Sequence, residues 1–141
     1  MDNDDQQFRE FEHTGDLGIE LNAPTRAELF RRAALALAAI LVDRHNIKPA
    51  AQRDLTVEAD NDTDLMHDLL TALLGLFTIE NFIWCDAAAT EAGNGLRLIV
   101  KGESFDSTRH WLNREVKAVT YHQLSVTESA YGWHARIIFD V

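Results

Sequence analysis

The stretch EHTGDLGIEL, residues 12–21, decides how the rest of the chain is read. Leu17, Ile19 and Leu21 alternate with Gly18 and Glu20, which is the period of a half-buried strand and not of a helix. Asp16 therefore stands at the start of a strand, and His13 and Thr14 are expected to shape the turn before it. Phe8 to Glu12 reads as a preceding strand. A plain turn does not require Glu12, His13 and Asp16 side by side, so the crowding points to a partner elsewhere in the sequence.

Downstream the period changes. In PTRAELFRRAALALAAILVDR (24–44), Thr25 and Glu28 have capping-box spacing, and Leu29, Ala33, Leu37 and Leu41 recur on one helical face beside Phe30, Ala34 and Ile40. Arg31, Arg32 and Arg44 read as its solvated side. HNIKPAA (45–51) is a linker, and RDLTVEAD (53–60) alternates Leu55, Val57 and Ala59 as a strand. A second helix, capped by Asp62 or Thr63, carries Leu65, Leu69, Leu73 and Leu76 with Met66, Leu70, Leu74 and Phe77, and Gly75 weakens its end. Phe82–Ala88 and Leu96–Glu103 are expected to pair as a hairpin turning at Asn94-Gly95. FDSTRHWLN (105–113) suggests a short helix, and EVKAVTYHQLSVTE (115–128) and YGWHARIIFDV (131–141) two further strands joined through SAYG. Two helices among mostly antiparallel strands, without βαβ alternation, predict a single α+β domain: an antiparallel or mixed sheet with two main helices packed on it. Residues 1–7 read as a disordered acidic tail and 8–141 as the domain.

Charge narrows the function. Thirteen Lys and Arg against 23 Asp and Glu give a net charge of −10, which repels polyanions and argues against direct nucleic-acid binding. A basic protein partner or a bound cation suits the field better. The single cysteine, Cys85, lies in the apolar run NFIWCDAAA, so a buried structural thiol and a reducing, cytoplasmic setting are expected. MDNDDQQ lacks the apolar core of a signal peptide, and Ala33 to Val42 is too short to span a bilayer, so no membrane association is expected.

The sequence contains no phosphate-binding GxxxxGK[ST] loop, GxSxG elbow, GxGxxG strand turn or HExxH pair, and its six histidines lack metal-ligand spacing. The carboxylates are more informative. Asp140 is the penultimate residue of an apolar strand, followed by Val141 with its own carboxylate. Were that strand to pair beside Asp16, three carboxyl groups would converge, a donor set suited to a hard cation such as Ca²⁺ or Mg²⁺. The plain alternative is an acid solvated at each strand end.

EHTGDLGIEL, the helix ELFRRAALALAAILVD, VKAVTYHQLSV and the ending ARIIFDV together resemble the archease family, in the family's order and over about Phe8 to Val141. The resemblance implies an accessory protein, not itself an enzyme, that activates an RtcB-type RNA ligase. Such a protein promotes guanylylation of the ligase from GTP and metal and allows multiple turnover in tRNA splicing or RNA repair. It also implies a divalent-cation site at Asp16, Asp140 and Val141, the last through main-chain or terminal oxygens, and no organic cofactor. Asp43 matches a commonly acidic family position. His13, Lys117, Thr120, Tyr121 and His122 are further candidates for metal or partner contact, although Thr and Tyr also suit strands for packing reasons. The chain departs from the family's pattern at Gly15, where alanine or serine is usual, and in DLLTALLGLF, which lacks a glutamate near Ala72. Two rival readings stand beside this one. The first is a phosphoesterase in which Asp16 and Asp140 hold Mg²⁺ and His13 or His122 moves the proton. The second is a general chaperone or adaptor for an RNA-modifying enzyme.

Overall fold

The structure is a computed structural model that describes residues 8–13 and 15–141, with backbone alone at Glu12, His13 and Arg44. The expected acidic tail, the contribution of Thr14 to the turn and the role of the Glu12 side chain lie outside the described residues. The strands are β1 (Phe8–His13), β2 (Asp16–Ala23), β3 (Ala51–Glu58), β4 (Phe82–Ala92), β5 (Gly95–Ser104), β6 (Ala118–Val119), β7 (Ser125–Ser129) and β8 (Gly132–Asp140). The helices are α1 (Arg26–Leu41) and α2 (Asp62–Thr78). The α+β class is as expected, but the strands form two sheets and every pairing is antiparallel. One sheet runs β1-β2-β8-β6 with β7 also on β8, and the other runs β3-β5-β4. Both helices touch both sheets.

Helix α1 begins where Thr25, in extended conformation, accepts the Glu28 N–H on its hydroxyl. Its alanines let neighbouring elements approach closely, and Leu29, Phe30, Ala33, Ala34, Ala36, Leu37, Ala38 and Leu41 are all but sealed from solvent. Each large side chain so buried contributes about 1.5–3 kcal/mol against exposure. Trp84 packs fully buried in this core, and its indole N–H donates to Ala34 O at 2.8 Å, so the one polar atom of the ring is satisfied. Arg31 and Arg32 are not merely solvated. Arg31 donates to Ala87 O and Arg32 to Asn22 O, while both reach Glu28, so the helix is tied to a strand of each sheet.

Several local expectations are corrected. Asn61, not Asp62 or Thr63, caps α2, because its side-chain oxygen takes the Asp64 N–H at 2.8 Å. The β4–β5 turn is Gly93-Asn94 and not Asn94-Gly95, with glycine at the first loop position at φ 57°. Gly95 is already in the strand, where a Cβ would lie 1.7 Å from Val57 O. Residues 105–113 form no helix. EVKAVTYHQLSVTE is broken into β6 and β7, the chain turning at Gln123 with φ 51°. Cys85 is only partly buried, because the β4–β5 register shifts between Trp84 and Asp86 and turns the thiol toward Lys101 O at 3.6 Å. Among the described residues, no helix is long and apolar enough to cross a membrane.

Candidate functional site

The first strand pairing builds the site. Gly15, just before β2, takes φ 82°, a conformation that suits glycine better than the alanine or serine expected there. The hairpin register sets His13 opposite Asp16. β2 then pairs with β8 so that Asp16 stands opposite Asp140 and Leu17 opposite Phe139. β6 closes the row with Ala118 opposite Asp140, and the Lys117 N–H donates to Asp140 O at 2.7 Å. Leu17, Ile19 and Leu21 face the core together with Ala135, Ile137 and Phe139, which commits the alternate residues Asp16 and Asp140 to the outer face.

Directly opposite residues of an antiparallel pair have Cβ atoms about 4.5–5.5 Å apart, and like charges there repel. The carboxylates of Asp16 and Asp140 therefore repel each other across the pair. All their donors are oxygen, and the main chain of Val141 follows, its side chain packed against the core. This donor set fits a hard divalent cation, which would offset the repulsion. Among the described residues no three His, Cys, Asp or Glu side chains gather into a metal-ligating group. Asp43, past the end of α1, is engaged locally: its carboxylate accepts the His45 N–H at 3.1 Å and lies 3.1 Å from His45 Nδ1.

The remaining candidates separate. Thr120 is a latch, its N–H and hydroxyl both donating to Ile138 O at 3.1 and 2.8 Å, and its hydroxyl accepts the His122 N–H at 3.3 Å. Tyr121 turns to α2 instead, stacking on His67 with ring centroids 4.0 Å apart. Partial burial and a hydrogen bond to Asp64 hold its hydroxyl above the ordinary value. Lys117 and Thr120 thus brace the strand that carries Asp140, whereas Tyr121 faces another element.

Two charge clusters were missed by sequence reasoning. On the outer face beside the aspartates, Glu20 receives His134, Arg9 and Arg136; His134 first and Arg9 second hold its carboxyl below the ordinary range. Arg136 also lies over the Phe11 ring at 4.1 Å, and that ring covers Gly18, where a Cβ would come within 2.2 Å of it. The second cluster surrounds Glu103. It takes two bonds from Arg109, the Lys48 N–H at 2.7 Å and the His110 Nε2 at 2.9 Å, and these lower its pKa to about 2, Arg109 contributing most. His110 is 1% exposed, and its Nδ1 accepts the Asp106 N–H at 2.9 Å, so the proton sits on Nε2 and a neutral ring satisfies both contacts. Only strand register could have revealed the first cluster. For the second, the local sequence around Arg109 and His110 carried a signal, but not its target.

A cleft of about 340 Å³ adjoins Asp16, lined by Glu10, Phe11, Leu17 and Arg114. Fold and site together define a small α+β domain that carries a pair of facing aspartates at one end of a five-stranded sheet and holds its helices against both sheets. A profile of the archease protein family (MTH1598/TM1083) matches residues 8–141. The chain belongs to the archease family. It is 33% identical to the protein archease of Pyrococcus furiosus over 141 residues, covering 96% of this chain and 99% of that one. It is 30% identical to that of Methanosarcina barkeri over 146 residues, covering the whole of both. Among solved structures, Methanobacterium thermoautotrophicum protein 1598 superposes with a TM-score of 0.79 at 26% identity, over 96% of this chain and 99% of that one. An archease from Thermotoga maritima, described as a possible chaperone, superposes with a TM-score of 0.66 over 94% and 96% of the two chains. At 19% identity, that likeness concerns the fold.

Proposed function

We propose that this chain is an accessory protein of an RtcB-type RNA ligase, promoting guanylylation of the ligase and its multiple turnover in tRNA splicing or RNA repair. The observation that carries the reading is the register that sets Asp16 opposite Asp140. A divalent cation, Ca²⁺ or Mg²⁺, is held there by the two carboxylates and a main-chain oxygen of Val141. Two strand ends fix these donors before any ligand arrives, so the ion is presented to the partner at little ordering cost. The negative field of the chain favours docking on a basic, RNA-handling protein over competing for its RNA. The chain acts through contact with the ligase in the cytoplasm and takes no organic cofactor.

A single-turnover guanylylation assay with GTP, metal and ligase tests this reading. The wild-type chain should accelerate the step, and Asp16→Ala and Asp140→Ala should remove the acceleration while melting cooperatively. Full stimulation by both variants would defeat the assignment of the site. Hydrolysis of a cyclic phosphate by the chain alone would favour the phosphoesterase reading. Recovery of some other RNA-modifying enzyme, with no effect on the ligase, would favour a general chaperone.

A further inference from the structure

Residues 105–117 cross from the second sheet to β6 without regular structure, yet they are firmly held. On one side His110 is buried against Glu103, and Arg109 is bonded to the same carboxylate. On the other, the Asn113 N–H donates to Leu41 O at 2.8 Å and its side chain to Ala39 O at 3.2 Å, while Leu112 bridges Val42. Between these anchors the chain presents Trp111 72% exposed and Leu112 53% exposed. Among the described residues the other exposed large apolar side chains stand singly: Ile79 at a helix end, Tyr131 at a hairpin tip and Tyr121 stacked on His67. Trp111 and Leu112 are contiguous, and a rigid backbone holding an exposed indole is the arrangement that binding hot spots use.

Arg114 adds charge to the patch. Arg9, Arg26, Arg31, Arg32, Arg97, Arg109 and Arg136 each have a carboxylate, and Arg53 lies over the Phe82 ring at 4.5 Å. Arg114 makes no ion pair or hydrogen bond among the described residues, in a chain with a large excess of acids. It lines the cleft beside Asp16, and three residues of extended chain put it within about 10 Å of Trp111.

We propose that Trp111, Leu112 and Arg114 form the face on which this chain docks its protein partner, which supplies an apolar pocket for the indole and a carboxylate for Arg114. The face rests on the reading above for the partner's identity, and it places that partner against the Asp16–Asp140 end of the sheet. A protein is favoured over single-stranded RNA, which also stacks on Trp and pairs with Arg, because the net charge of −10 repels a polyanion as a whole, whereas a protein needs to bring only one carboxylate to Arg114.

The test measures affinity of the RtcB-type ligase for the full chain and its variants, together with ligase stimulation across chain concentration. Trp111→Ala and Arg114→Glu should each weaken binding at least about tenfold, and the Trp111→Ala defect should disappear at saturating chain, since docking and not the aspartate site is impaired. Asp16→Ala should fail to stimulate at every chain concentration, saturation included, which separates loss of the aspartate site from loss of the docking face. Wild-type affinity in both face variants, with normal stimulation, would overturn the docking face and leave the proposed function standing. Failure of the wild-type chain to bind or stimulate the ligase would overturn both. Binding of a single-stranded oligoribonucleotide that is lost in Trp111→Ala, with ligase affinity unchanged, would overturn the face in favour of RNA.

Discussion

Glu103 and Asp16 are both carboxylates at strand ends, and the residues set against them differ in charge. Glu103 is met by a guanidinium, a backbone N–H and a buried imidazole, so that its negative charge is fully used inside the molecule. Asp16 is met across the sheet by Asp140, another carboxylate. An acid ringed by donors ties elements together, and the charge around it has nothing left to offer a ligand. Two acids set face to face repel each other, and on the proposed reading a cation between them offsets that repulsion.

The largest effect expected from breaking this contrast is on function. Asp140→Ala should reduce stimulation of the ligase at least about a hundredfold, equivalent to about 2.7 kcal/mol. Without added metal the same variant should melt no lower than wild type, because a like-charge opposition has been removed. A melting temperature several degrees lower would show that the pair is structural.

Next in size, Glu103→Ala should cost roughly 2–3 kcal/mol in denaturant unfolding, since it strands the buried His110 and releases Arg109 and the Lys48 N–H. Ligase stimulation by the folded fraction should be unchanged. A loss of stimulation at full folding would erase the distinction between the two acids.

The same carboxyl supplies a pH dependence. Its folded pKa of about 2 lies below its ordinary value of 4.5, so its contribution is fully present above about pH 4.5 and is lost as pH falls toward 2. Glu103→Gln should flatten the acid limb of the stability curve in that window and leave the curve above pH 5 parallel to wild type. A limb of unchanged slope would remove Glu103 from the account.

The smallest effect should come from Thr120→Val, which deletes one hydroxyl bond to Ile138 O and should cost about 1 kcal/mol in thermal or denaturant unfolding. Asp140 lies two residues further along β8, so the latch sharpens the comparison by separating support of the strand from the site it carries.

How much of this was readable beforehand follows from which forces act locally. The 2-residue and 3.6-residue periods announced β2, α1, α2 and β8, because burial of one face imposes the period on the sequence. The capping of α1 by Thr25 was equally plain, since its partner is three residues away. Caps and turns with competing candidates were not: Asn61 displaced Asp62 as a cap, and the β4–β5 turn moved by one residue because Gly95 is held against the Val57 carbonyl of another strand. At the site, Asp16 and Asp140 were legible as acids ending apolar strands, but only the β2–β8 register makes them opposite. Arg136 over Phe11, His134 on Glu20 and Arg109 on Glu103 depend on pairings and loop paths that no local pattern encodes. Arg114 escaped notice for a related reason, since a guanidinium with no ion pair among the described residues is recognisable only once the others are seen to be paired.

The central claim is that Asp16 and Asp140 together hold a divalent cation, and calorimetric titration of Ca²⁺ and of Mg²⁺ into the purified chain tests it most directly. One ion should bind per chain, with Asp16→Asn and Asp140→Asn each weakening it at least about tenfold while Asp43→Asn leaves it unchanged. Absence of binding to the wild-type chain, or equal affinity in Asp140→Asn, would contradict it.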